Sequence, residues 1–321
     1  MKIPALKIGK ENLDVSKLAP LIAFAILFII SAIASPYFTK IQNLMNILRQ
    51  VSYTGTIALG MTYIIIAGGI DLSVGSLTAL AGGMGILAMN ATGGNIFIGV
   101  ITALGVGILG GAFNGILVTR FNIAPFIVTL GTMSIFRSMT LYMINAGEYR
   151  SMNEAYRVIG GGKFLGIFFP VWIFLTLALI LQVILNMTKY GRYVLAVGSN
   201  AQVARYSAIK VKLVTFFTYI ITGFTVGVTA IMFSSRLNAV GSSNTGQAYE
   251  LDAIAAVVIG GTAMAGGSGT VFGTVLGAII LGIINNMLNM LGVSPYLQGT
   301  VKGLVIILAV LMQYKSSKSN K

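Results

Sequence analysis

The residues able to do chemistry in this chain are few, and most of them sit inside apolar runs. Asp71 stands in AGGIDLSVGS (67–76), Arg137 ends the run NGILVTRFNIAPFIVTLGTMSIFR (114–137), and Lys302 is buried in GTVKGLVIILAV. Between them lie the amides Asn114, Asn285, Asn286, Asn289 and Gln298. The chain has no histidine and no cysteine. It therefore lacks the usual neutral-pH acid–base group and commonest metal ligand, and with them any thiolate site or disulfide. No paired carboxylates fall in an apolar run, and GGGKF (160–164) lacks the spacing and the hydroxyl residue of a phosphate-binding loop. The chemistry left is hydrogen bonding. Amides donate and accept without needing a counter-charge, which suits a neutral polyol, and they also clip helices together.

Each of these residues has two readings. Asp71, after Gly68 and Gly69 and before Leu72-Ser73, is placed to cap the next helix or to act as a gate or cargo contact near the end of a span. Arg137 and Lys302 lie about two helical turns inside their spans; they snorkel to the interface or face a hydrated path. Gly107, Gly111 and Gly115 recur every fourth residue, as do Gly269, Gly273 and Gly277. Such spacing makes a groove in which helix backbones approach closely.

The elements that position them are membrane helices. Of 321 residues 56% are hydrophobic and only 9% charged, against about 25% charged in a soluble domain. Apolar runs of about the ~20 residues that cross a bilayer predict an all-α polytopic membrane protein of about ten spans: 18–35, 51–67, a third to 89, 96–118, 124–144, 168–187, 213–233, 251–265, 270–291 and 295–313. The AIA triplet at 32–34 resembles a cleavage site, but the first run is long for a signal core and reads as an uncleaved span. Residues 39–50 read as a separate interfacial helix. A transmembrane body of 18–313 is thus flanked by tails at 1–17 and 314–321. The net charge of +14 has no soluble domain to carry it, so a nucleic-acid partner is not expected. It follows the orientation rule instead. With both termini cytoplasmic, Lys2, Lys7, Lys10 and Lys17, Arg120, the basic stretch 189–212 and the tail KSSKSNK all fall inside, while Glu148, Glu154, Glu250 and Asp252 fall outside.

A weak internal repeat is also present. LAGGMG (80–85) resembles VIGGTA (258–263), and IAPF (123–126) resembles VSPY (293–296). Each pair falls in spans of opposite direction, as in inverted repeats.

AGGIDLSVGS, the run 114–137, YGRYVLAVGSNAQVARYSAIKV and the C-terminal stretch from Tyr249 together resemble the ribose/galactose/xylose-type permeases, the membrane subunits of bacterial monosaccharide ABC importers. The likeness runs from about residue 40 to near the end. It implies a bacterial cell-membrane location, two permease copies, a cytoplasmic ATPase that holds ATP–Mg while this chain holds no cofactor, and an extracytoplasmic sugar-binding protein. It also implies that loop 189–212, with Gly191, Arg192, Gly198, Asn200, Ala204 and Arg205, carries the coupling contact to the ATPase. The outer loops 145–167 and 234–250, with Glu148, Arg150, Glu154, Arg157, Arg236 and Glu250, would meet the binding protein; charges of both signs suit a docking rim. The pathway candidates are Asp71, Asn114, Arg137, Asn285, Asn286, Gln298 and Lys302. The expected activity is ATP-driven import of a monosaccharide, ribose first, rather than catalysis. Import of branched-chain amino acids and stand-alone secondary transport are the alternatives.

Overall fold

The computed structural model describes residues 15–294, 297–305, 307 and 311; most of both tails, and parts of the last predicted span, lie outside the described residues. The first half runs α1 (Val15–Ala34), α2 (Ile41–Ile66), α3 (Val74–Ala91), α4 (Ile96–Thr119) and α5 (Pro125–Met143). A connecting segment follows with β1 (Glu148–Arg150), α6 (Arg157–Gly161), β2 (Lys163–Phe164) and β3 (Ile167–Phe168). The second half is α7 (Phe169–Met187), α8 (Lys189–Ser199), α9 (Ala201–Tyr206), α10 (Val211–Leu237), β4 (Ala239–Gly241), α11 (Tyr249–Ile259) and α12 (Val271–Met290). The described residues of 297–311 are helical.

Local chemistry sets many of these ends. Asn95 caps α4 by accepting from the Phe97 and Ile98 amides at 3.0 and 3.3 Å, so two end donors are met in place. Pro125 and Pro170 open α5 and α7, where the missing N–H costs least. Asn238 stops α10 with φ 56°, a left-handed turn that asparagine tolerates. Pro20, by contrast, lies inside α1 because that helix begins before the apolar run does.

Six described helices are long and apolar enough to cross a membrane: α3, α4, α5, α7, α10 and α12. Large apolar side chains cover the outside, among them Ile33, Leu109, Ile127 and Leu179. Small and hydroxylated residues fill the inside, including Thr56, Thr62, Thr222, Thr225, Thr229 and Thr274. Lipid is as apolar as leucine, so the helices associate through close packing and hydrogen bonds. The Thr62 and Thr274 hydroxyls meet at 2.7 Å, and Tyr63 donates to the Leu181 carbonyl at 2.5 Å. Gly107 and Gly111 press α4 onto α10: a Cβ on either would run into the backbone of Gly223. The glycine groove read from sequence is helix packing here.

Two expectations are corrected. Residues 39–50 form no separate interfacial helix, because α2 is continuous from Ile41; its polar start packs against neighbouring helices. The eighth predicted span is α11, which has only 11 residues. At 1.5 Å per residue it spans roughly 16 Å, half of the ~30 Å hydrocarbon core.

The same order of elements occurs twice. A long helix (α2, α10) leads into an irregular segment (67–73, 238–248), a second helix (α3, α11), a third (α4, α12) and a helix beginning near a proline (α5, and the one after Pro295). α2 packs on α10, α4 on α10 as α12 on α2, and α3 on α4 as α11 on α12. The ends settle direction. α2 finishes beside α8, where the Ile66 carbonyl accepts from Gly267 at 2.8 Å. α10 finishes at the strands, where β4 pairs antiparallel with β1. α3 finishes there too, with the Asn90 amide donating to the Arg150 carbonyl at 2.9 Å, whereas α11 ends in the turn that reaches Ile66. The halves are inverted with respect to each other, as LAGGMG/VIGGTA and IAPF/VSPY indicated.

Candidate functional site

The two irregular segments turn back into the helix body, and the chemistry-bearing side chains gather around them. In the first, Asp71 is buried and accepts the Ser73 backbone N–H and hydroxyl on one oxygen at 2.8 and 2.7 Å. Its other oxygen accepts from Asn114 Nδ2 at 3.4 Å, and the same nitrogen donates to Ser73 Oγ at 2.8 Å. Asp71 therefore ties a turn one step before α3 rather than bonding the helix's own first amides, which take no side-chain cap. The cluster joins two of the sequence motifs, AGGIDLSVGS and NGILVT, across 43 residues.

In the second, Arg137 of α5 reaches across to 242–248 and donates to the carbonyls of Ser242 and Thr245 at 2.8 and 2.9 Å. It neither snorkels nor hangs free, because those carbonyls have no strand or helix partner in the turn. Gly75, at the start of α3, lies against Gly246, so a Cβ there would strike the Gly246 carbonyl and come within 2.6 Å of Glu250 Oε2. The N-termini of α3 and α11 thus meet inside the protein. Beside them is a cavity of about 480 Å³ lined by Ser76, Ser134, Arg137, Ser138, Gln247 and Glu250.

A smaller cavity of about 250 Å³ lies between α2, α10, α11 and α12, lined among others by Tyr53, Arg236, Asp252 and Asn285. Lys302 closes on its edge, 2.9 Å from Asp252 Oδ1. Asn286 points away and pairs with Asn43 through two bonds of 2.8 and 3.1 Å, clipping α12 to α2. Gln298 donates to Asn289 and to the Val293 carbonyl at 2.8 and 3.2 Å, bracing the turn after α12. Of the pathway candidates, the structure brings Asn285 to one cavity, where Lys302 pairs with the lining residue Asp252, and Arg137 to another; Asp71 and Asn114 are bonded to each other.

The stretch 189–212 is two helices. Thr188 caps α8 and Asn200 caps α9, accepting from Gln202 and Val203 amides at 3.0 Å each. Gly191 fits against the Leu185 carbonyl, and Gly198 against the Ile66 carbonyl and Gly267, so α8 lies flush on the body. Ala204 is buried against that body, which corrects its expected presentation to a partner. α9 instead offers Val203, Arg205 and Tyr206, all exposed, with Arg192 exposed on α8.

At the other end Glu148 pairs with Arg150 at 3.0 Å, and Glu154 with Arg157 at 2.7 Å. These four lie on the surface as expected of a rim. Arg236 and Glu250 do not. Each lines one of the two cavities, because α10 continues past 233 and the 238–248 segment folds inward. Sequence reasoning also missed Asn43, Ser73, Tyr53 and the carbonyls of 242 and 245. Ser73 was legible, as the residue two after an Asp in a turn; the rest carry no local signal.

Comparison with known proteins bears on what this framework belongs to. The profile of the family described as "Branched-chain amino acid transport system / permease component" matches residues 43–310. The ribose import permease RbsC of Bacillus subtilis is 41% identical over 303 residues, 94% of each chain. RbsC of Escherichia coli K12 is 40% identical over 299 residues, 92% of each. The L-arabinose permease AraH of E. coli K12 is 33% identical over 302 residues, 94% of this chain and 91% of that one. No solved structure matches. A profile match over most of the chain, with relatives this similar from end to end, means that the chain belongs to the sugar ABC transporter permease family.

Proposed function

We propose that this chain is the membrane subunit of an ATP-driven importer for a monosaccharide, with ribose the first candidate. The observation that carries the reading is end-to-end similarity to ribose import permeases in a chain whose inward polar groups are mostly amides and hydroxyls, suited to a neutral polyol. In this proposal α8–α9 docks in a cytoplasmic ATPase that holds ATP–Mg, and both termini share that side. The exposed Val203, Arg205 and Tyr206 supply an anchor of the kind that carries binding energy. The opposite end, with Glu148, Arg150, Glu154 and Arg157, receives a sugar-binding protein, and two copies of the chain complete the pore in the bacterial cell membrane. Closure of the ATPase pair moves α8–α9, and the inverted halves rock against each other to alternate access. This chain performs no hydrolysis and carries no cofactor of its own.

The test is reconstitution with the neighbouring ATPase and binding protein in proteoliposomes. Ribose uptake should require ATP and both partners. Uptake that continues on an ion gradient with no ATPase would overturn the reading in favour of a secondary transporter.

A further inference from the structure

The two halves carry one asparagine each at matching places. GAFN ends at Asn114 on α4 and GIIN ends at Asn285 on α12. Three residues before each stands a glycine that fits against the long helix of the other half: Gly111 against the Tyr219 carbonyl, Gly282 against the Val51 side chain. Both asparagines keep a buried Oδ1 that takes no hydrogen bond. Their surroundings differ. The Asn114 amide nitrogen is bound to Ser73 and Asp71. Asn285 faces the cavity of about 250 Å³.

A buried carbonyl oxygen without a donor costs free energy, and a polar cavity is where such a cost is offset by a ligand or by water. The walls describe the ligand. Tyr53, Phe233 and Tyr249 form an edge-to-face series, with ring centroids 5.8 and 6.1 Å apart. Aromatic surface of this kind receives the C–H face of a sugar ring. The Arg236 guanidinium, 5.9 Å from the Tyr53 ring centre, supplies donors; the Asn285 side-chain amide on the wall both donates and accepts, presenting its sheltered oxygen by an amide flip. The Asp252 carboxylate accepts as well, its charge already met by Lys302 at 2.9 Å. The volume is below the ~300–1,000 Å³ of drug-sized sites, the scale of one small polar molecule.

We propose that this cavity is a holding site for a single neutral monosaccharide within one protomer, and that the Asn114 cluster is its counterpart in the other half. The proposal rests on the sugar-import reading above. It places the sugar's waypoint inside the subunit rather than only between two copies.

The experiment uses the full complex with its ATPase and binding protein in proteoliposomes, with labelled D-ribose as probe. Asn285→Leu removes the polar amide at similar volume, and Thr54→Phe fills the cavity from the α2 wall. In both, ribose uptake should fall about tenfold or more while ATP hydrolysis stimulated by the binding protein falls less than about twofold, a split that separates a cargo contact from uniform damage. Uptake within about twofold of the parent in Thr54→Phe overturns the proposal, because the sugar then passes elsewhere. A parallel fall in uptake and hydrolysis in both variants also overturns it, assigning the residues to helix packing. A parent complex that moves no monosaccharide at all defeats the import reading itself, and this is seen without any variant.

Discussion

The inward segments 67–73 and 238–248 hold matching positions in the two halves, yet they are stabilised by different means. The first is short: Asp71 accepts from Ser73 and Asn114, the Asn114 amide nitrogen also donates to Ser73, and Tyr219 donates to the Ile70 carbonyl at 3.4 Å. The second is longer: its start pairs with β1, Ser242 donates to the Gly147 carbonyl, and its 242 and 245 carbonyls are met by a long charged side chain from another helix, Arg137. The larger cavity lies beside it, lined by Ser243, Gly246 and Gln247. A segment secured by short side chains from its own turn and one neighbouring helix is rigid. One whose tip leans on a single extended arm beside a cavity is freer to shift at that tip when the arm does. The inverted repeat thus supplies a fixed half-site and a movable one from the same plan.

The contrast can be broken most severely where the segments meet. Gly75→Leu drives a side chain into the Gly246 carbonyl and Glu250. Overpacking typically costs about 1–3 kcal/mol and occasionally more; here backbone blocks the way, so the expected outcome is loss of folded protein, read as the yield of monodisperse protein in detergent. Normal yield and melting temperature would mean that the two segments are not in contact.

Next in size is Asp71→Ala, which leaves the Ser73 backbone N–H and hydroxyl buried without their acceptor at about 1–3 kcal/mol each. Arg137→Met removes two bonds to turn carbonyls beside a cavity that water can enter, so its effect should be smaller globally and concentrated locally. Hydrogen exchange should show the first variant loosening α3 and α4 together, and the second raising exchange in 242–248 alone. Equal patterns would erase the rigid-versus-movable distinction.

The smallest effect is expected at the Asn43–Asn286 clip, which lies away from both segments. A double-mutant cycle with leucine at each position should give a coupling of about 0.6 kcal/mol, near the average for polar pairs within membranes. A coupling several times larger would make α2–α12 packing part of the moving unit.

Much of this architecture was legible in the sequence because lipid imposes a simple rule. Every backbone polar group must be satisfied internally, so long apolar runs become helices, and α4, α5, α7 and α12 begin and end within a few residues of their predicted limits. The proline and asparagine signals at 95, 125 and 170 are local and therefore readable. α11 was not, because its apolar residues run on into Gly260, and hydropathy does not distinguish a span from a half-length helix that ends at a glycine turn. Arg236 and Glu250 were misplaced for the same reason. A charged residue next to a polar loop looks exposed until the loop is seen to fold inward.

By itself the sequence determined that this is a membrane protein with a weak internal repeat, a basic stretch at 189–212 and neither histidine nor cysteine. Only the tertiary structure decided which polar groups face one another: Arg137 on 242 and 245, Lys302 on Asp252, Asn286 on Asn43, and Asn285 on open space. Those partners stand up to 243 residues apart along the chain, and no local periodicity encodes contacts at that distance. They follow from how close the glycine-lined helices approach, which is fixed when all of them pack together.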